Sequence, residues 1–150
     1  MPHLAPAPER PGAGAAVNRR GLNAARRRVI KAQLAERDGA ACFFCRRPFG
    51  PHLDGATIDH LIPYSRYPRN LQINLVLACQ PCNNAKGDQP PQEFLAVSVD
   101  ELAARAGTTN DAVLRVLWSP ERASAKSRKR VLAALRRPTP APVPLPGLEN

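Results

Sequence analysis

Two CxxC pairs, Cys42-Phe-Phe-Cys45 and Cys79-Gln-Pro-Cys82, stand with residues 46–78 between them. Two residues between thiols let one tight turn present both sulfurs to a single ion, and two such turns complete a closed tetrahedral site of the structural zinc type. A fold that satisfies this spacing must bring residue 42 beside residue 79. The enclosed segment is longer than in a bare zinc ribbon, so the ion is expected to close a loop that carries something else. The alternatives are a dithiol redox centre or four unrelated buried cysteines; a redox motif expects a βαβ context, and none is legible here. Four thiolates leave no open coordination position, so such an ion cannot itself activate water, and any catalysis has to come from inside the loop.

Charge is distributed unevenly around that loop. The 150 residues hold 22 Lys plus Arg against 12 Asp plus Glu, a net charge of +10. Residues 17–38 carry seven basic and two acidic side chains and residues 101–137 carry nine and three, whereas residues 42–95 carry five and four. A nearly neutral centre between two basic arms suggests a polyanion partner, and nucleic acid is favoured because neutralising phosphates releases counterions. A solvated, Arg-rich surface is the bland alternative. Of the 17 prolines, nine fall in residues 1–11 and 138–150. Segments so rich in proline bury too little to offset their ordering entropy, so 1–17 and 138–150 are expected to be disordered tails.

Between the tails the chain divides into a basic helix over 18–40, a knuckle-bracketed core over 41–95 and a basic helical region over 96–137. In the first, Leu22, Ala25, Val29, Ala32 and Leu34 recur at near-helical spacing and Asp38-Gly39 reads as a stop. In the last, 99–118 and 121–136 are expected to be helical, divided by Ser119-Pro120. No stretch approaches the roughly 18 apolar residues of a membrane span, so no membrane association is expected. Met1 to Arg20 lacks the apolar run of a secretory signal, and the expected location is cytoplasmic.

Inside the loop, Thr57-Ile58-Asp59-His60-Leu61-Ile62-Pro63 and Asn74-Leu75-Val76-Leu77-Ala78 read as the strands of a β-hairpin. The residues after Cys79, with Asn83-Asn84-Ala85-Lys86-Gly87, read as a short helix. Such a layout could bring Asp59, His60 and Asn83 together. Adjacent strand residues face opposite sides, so a bend or bulge is expected near Asp59-His60. An imidazole suits activation of water, and the oxygen donors of Asp59 and Asn83 suit Mg²⁺ or Mn²⁺.

Taken together, Cys42, Cys45, Asp59-His60, Asn74, Cys79, Cys82, Asn83 and Lys86-Gly87-Asp88 resemble the HNH endonucleases, in the branch bracketed by two CxxC zinc knuckles. The chain departs from that pattern after Ser65-Arg66, where relatives often turn on Gly-Gly and this sequence has Tyr67-Pro68-Arg69-Asn70. The resemblance implies a small α+β fold: a zinc-stabilised ββα-metal core with basic helical extensions. It assigns His60 as general base, Asp59 and Asn83 as holders of a catalytic Mg²⁺ or Mn²⁺, Asn74 as a brace for the loop joining the strands, and Cys42, Cys45, Cys79 and Cys82 as structural Zn²⁺ ligands. It selects Asn83 over Asn84, which is left as a helix-start residue or backbone contact.

The implied activity is metal-dependent hydrolysis of DNA, double-stranded by expectation, by nicking or double-strand cutting, from a monomer or homodimer. Phage packaging and mobile-element partners are both compatible with it. A non-catalytic zinc-dependent DNA-binding or regulatory module is the alternative. Arg66, Arg69 and Lys86 are further candidates for phosphate contacts, and His52 is expected to be a surface residue. Residues 99–117 resemble a helix-turn-helix, with Ala103, Gly107 and Val113 at its small, turn and core positions and Asp100 or Thr109 as caps. A plain helical hairpin packed on the core is the alternative there.

Overall fold

A computed structural model describes residues 22–136. The expected tails, 1–17 and 138–150, lie outside the described residues, as do residues 18–21 of the expected first helix. Helix α1 spans Ala24–Asp38, strand β1 Ala56–His60 and strand β2 Leu75–Cys79. Helix α2 follows at Gln80–Lys86, then α3 at Pro91–Phe94, α4 at Val99–Ala106, α5 at Asn110–Trp118 and α6 at Ala125–Leu135. Short 3₁₀ turns at Gln72–Asn74 and Pro120–Arg122 precede β2 and α6. The result is a small α+β fold, as its sequence implies.

Helix α1 starts where the Asn23 side chain accepts from Arg26 N at 2.9 Å and stops at Gly39, whose φ of 93° is a conformation that favours glycine. Its apolar stripe is rotated from the expected one. Of Leu22, Ala25, Val29, Ala32 and Leu34, only Leu22 and Leu34 are buried; Val29 is 56% exposed and Ile30 is buried in its place. Ile30 and Leu34, four positions apart, meet Ala56, Leu75 and Leu77. The half-buried stems of Arg27 and Lys31 flank them, so long side chains cover area that the alanines on the other face cannot.

The strands pair antiparallel in unbroken register from Ala56↔Cys79 to His60↔Leu75. The expected bulge at Asp59-His60 is therefore absent. β1 instead ends at His60 and the chain bends at Leu61 and Ile62, which frees the last strand residue from strict alternation. All five residues of β2 are buried, because a layer lies on each face. Leu75 and Leu77 turn toward α1, while Val76 joins Phe43, Leu61, Ile62 and Tyr67 in a core that continues into α4, α5 and α6.

The helical segment 99–118 forms two helices that turn at Gly107, the turn position read from the sequence. Ser98, rather than Asp100, caps α4 by accepting from Glu101 N at 3.1 Å, Gly107 turns the chain at φ 61°, and Thr109 caps α5 by accepting from Ala112 N at 3.2 Å. The pair packs as a hairpin against α6: Leu102, Ala103, Val113, Val116 and Leu117 share one core with Val131, Leu132 and Leu135. Helix α6 begins later than expected, at Ala125, because Pro120–Arg122 forms its own 3₁₀ turn and Ser124 caps the helix proper. Among the described residues no helix is long and apolar enough to cross a membrane.

The rotated stripe of α1 separates two substitutions. Leu34→Ala is expected to cost about 2–5 kcal/mol of unfolding free energy. Val29→Ala should stay within about 0.5 kcal/mol of the parent in the same denaturant titration.

Candidate functional site

The first CxxC pair sits in a tight turn. Arg46 N donates to Cys42 O and Cys42 N donates to Arg47 O, both at 2.9 Å, with an isolated bridge between Ala41 and Pro48. Arg46 takes a left-handed φ of 63° to close it. Phe43 N donates to Leu77 O at 2.8 Å, which sews the turn onto β2. Cys79 ends that strand and is the N-cap of α2, where Pro81 needs no N–H partner and Cys82 falls in the first turn.

The four sulfurs converge. One ligand atom from each of Cys42, Cys45, Cys79 and Cys82 lies within 4.8 Å of the others, and the Cys45 and Cys79 sulfurs are 3.8 Å apart. Zn–S bonds of about 2.3 Å in a tetrahedron require sulfur separations of about 3.8 Å, so the donor set fits a structural zinc ion. The thiols are electrostatically opposed. Burial works against the Cys42 thiolate, yet backbone hydrogen bonds from Cys45, Cys79 and Phe44 bring its pKa down to about 7. Burial, hydrogen bonding to Cys79 and Cys45, and the charge of Cys42 push Cys82 up to about 12. A divalent cation among them relieves that conflict, and a redox role has no support in the fold because the βαβ context is missing.

A second site opens where β1 meets α2. A cavity of about 160 Å³ is lined by Asp59, His60, Pro63, Tyr64, Asn83, Gly87 and Asp88. Asp59 Oδ1 accepts from His60 N at 2.8 Å. His60 Nε2 and Asn70 Oδ1 are 2.9 Å apart, and the Tyr64 ring meets the imidazole edge-on at 5.3 Å. Asn83 Nδ2 donates to Thr57 Oγ1 at 2.9 Å, while that hydroxyl donates to Ala78 O at 2.8 Å. With its nitrogen committed, the Asn83 amide offers its oxygen as a cation donor. Asn84 points elsewhere: its Oδ1 accepts from Gln80 Nε2 at 2.7 Å on the exposed side of α2.

Asn74 does not line this cavity. It is wholly buried, and its side chain pairs with a single residue: Ile62 N donates to Oδ1 at 2.8 Å and Nδ2 donates to Ile62 O at 2.9 Å. Together with Leu61 N donating to Asn74 O at 2.9 Å, this ties the start of the β1–β2 loop to its end.

Three candidate phosphate contacts are otherwise engaged. Lys86 is buried, its Nζ donating to His60 O at 2.8 Å and standing 3.8 Å from Asp59 Oδ2. Burial lowers its pKa against the pull of Asp59 and Asp88. The Arg66 guanidinium lies 4.1 Å from the Trp118 ring centroid, and Arg69 pairs with Glu121 at 3.0 Å. These contacts hold the β1–β2 loop, which carries Tyr64 and Asn70, against the end of α5. Sequence reasoning missed Asn70, Thr57 and Asp88 as parts of the site. Asn70 falls in the stretch that departs from the expected loop pattern, so the departure itself was the signal; Asp88 was among the residues carrying the resemblance but was given no role, and Thr57 carries no mark of its own.

Two outcomes test these centres. Stripping the ion with a strong chelator should lower Tm by roughly 15 °C or more, because apparent zinc-binding energies are folding energies. Asn74→Ala leaves Ile62 N–H and C=O without partners and should cost about 3 kcal/mol or more in a denaturant titration.

Residues 42–89 match the family model described as HNH endonuclease. A search of curated proteins finds no match. Among solved structures, the Type II-C Cas9 enzyme from Actinomyces naeslundii is similar at 24% identity and a TM-score of 0.45, over 76% of this chain and 13% of that one. The chain thus spans a small part of that enzyme's length. The family match and the four-cysteine cluster fall on the same stretch of chain: residues 42–89 are similar to the HNH endonucleases, around a sulfur site fit for a zinc knuckle.

Proposed function

We propose that this protein is a metal-dependent endonuclease that hydrolyses DNA phosphodiester bonds in the cavity between β1 and α2. The observation that carries the proposal is the convergence of Asp59, His60 and Asn83, from two elements, on one cavity of about 160 Å³. With Asn70 Oδ1 taken as the acceptor, the imidazole proton is assigned to Nε2 and the lone pair to Nδ1. His60 is then a general base, its ring oriented by Asn70 and Tyr64, taking a proton from the attacking water.

Asp59 and Asn83 present hard oxygen donors, the chemistry that Mg²⁺ or Mn²⁺ prefers. A divalent ion held there supplies charge stabilisation for the transition state and the leaving 3′ oxygen. Lys86, buried beneath the site, stands 3.8 Å from one Asp59 oxygen, and the His60 N–H fixes the other. Asp88 adds a second carboxylate at the cavity. Cys42, Cys45, Cys79 and Cys82 would hold a zinc ion with no open coordination position, so their role in this proposal is structural. The substrate in this proposal is double-stranded DNA, nicked by one active site per chain in the cytoplasm, in a phage or mobile-element setting.

Conversion of supercoiled plasmid to open-circle and linear forms, with Mg²⁺, Mn²⁺ or neither, tests the proposal. His60→Ala is expected to reduce the rate about 10²–10⁴-fold in a zinc-loaded, folded protein. Asn70→Ala should lower kcat by roughly tenfold with KM and Tm unchanged, as a positioning residue does. Plasmid binding without metal-dependent cutting, equal in parent and His60→Ala, would put a non-catalytic DNA-binding module in place of the enzyme.

A further inference from the structure

The cations of this chain divide by what they touch. Arg37 donates to Gln72 O and Leu75 O, each at 2.7 Å; Arg128 donates to Pro120 O at 2.8 Å; Arg136 donates to Ile73 O. Arg66, Arg69 and Lys86 are engaged as described above, and Arg105 pairs with Glu101. Much of the basic excess read from the sequence therefore holds the fold together.

Arg27, Arg28 and Lys31 differ. They form no ion pair with any described residue, and with Ala24, His52 and Leu53 they line a hollow of about 330 Å³. Among the described residues no carboxylate lines it. Ile30 and Leu34 anchor α1 to the sheet, and Arg27 and Lys31, half-buried beside them, are held with Arg28 along the edge of that face. Among the described residues lining the hollow their mutual repulsion meets no counter-charge, a condition that a polyanion relieves.

We infer that this hollow is a second contact for the DNA backbone, seating a phosphodiester away from the bond to be cut; the inference rests on the DNA substrate proposed above. His52 and Leu53 lie just before β1, and the catalytic residues stand at its far end. Four residue steps along β1 set the two sites roughly 13 Å apart along the strand. The hollow thus binds and orients the substrate without touching the scissile phosphate, and His52, unremarkable in the sequence, becomes part of its wall. Contacts of this kind position a duplex without reading its bases.

The test uses the full zinc-loaded chain carrying His60→Ala, so that no cutting intrudes, and a labelled 30-base-pair duplex followed by fluorescence anisotropy across a salt series. The combined change Arg27→Gln, Arg28→Gln and Lys31→Gln should weaken binding on the order of tenfold or more and make the slope of log K against log salt shallower by about 2–3. Ala24→Phe fills the hollow and leaves every charge in place; it should weaken binding about fivefold or more if a phosphate sits there. Circular dichroism checks that α1 is retained. Unchanged affinity and slope in the triple variant overturn the inference. Weakening in the triple variant but not in Ala24→Phe also overturns it, leaving only long-range attraction. Failure of the nuclease proposal shows separately, as a parent protein that binds this duplex but does not cut plasmid.

Discussion

The convergence of four sulfurs is the constraint on which the rest of the site depends. Cys79 belongs at once to the end of β2, the start of α2 and the cluster, so the ion that the cluster fits fixes the direction in which α2 leaves the sheet. Helix α2 is only Gln80–Lys86, too short to hold itself in water. It nevertheless carries Asn83 and Lys86, the two residues that meet β1 from outside the sheet. Thr57 receives one and Asp59 the other, so the relation of Asn83 to Asp59 and His60 is set by a strand on one side and a cluster of thiols on the other.

Two buried polar groups, Asn74 and Lys86, do much of the remaining positioning. Asn74 uses both ends of its amide on Ile62, which pins a loop that would otherwise cost much entropy to order. Lys86 places a charge where no water reaches, and it is tolerated because His60 O and Asp59 surround it. The C-terminal helices contribute through the same loop. Arg66 on Trp118 and Arg69 on Glu121 fasten the segment that bears Asn70, so the part of the chain least like the expected pattern is supported by a unit beyond the family match.

The knuckles, the hairpin and the short helix were legible because each rests on local rules: CxxC turns, alternating apolar strands, and a helix opened by proline. His60 and Asp59 were singled out by the resemblance to the HNH endonucleases rather than by a local rule. The phase of α1 was not legible. Ala25, Val29 and Ala32 make as good a stripe as Ile30 and Leu34 when only spacing is counted, and the choice falls to whichever face covers more area on β2. Nor was the fate of the cations. Arg37 and Arg136 satisfy backbone carbonyls around the start of β2, while Arg27, Arg28 and Lys31 line an open hollow; nothing in the composition distinguishes the two groups.

Sequence alone determined what is encoded within a few residues: which thiols pair into turns, which segments become strands, and which side chains have the chemistry for a base or a ligand. Only the tertiary structure decided which of them meet. His60 reaches Asn70 because β1 ends at His60 and the loop returns under Asn74. Asn83 rather than Asn84 faces the cavity because α2 is rotated by its contacts with Thr57 and the sulfur cluster. Those relations come from packing between segments far apart in the chain, where burial and hydrogen-bond satisfaction select one arrangement among several that the local pattern allows.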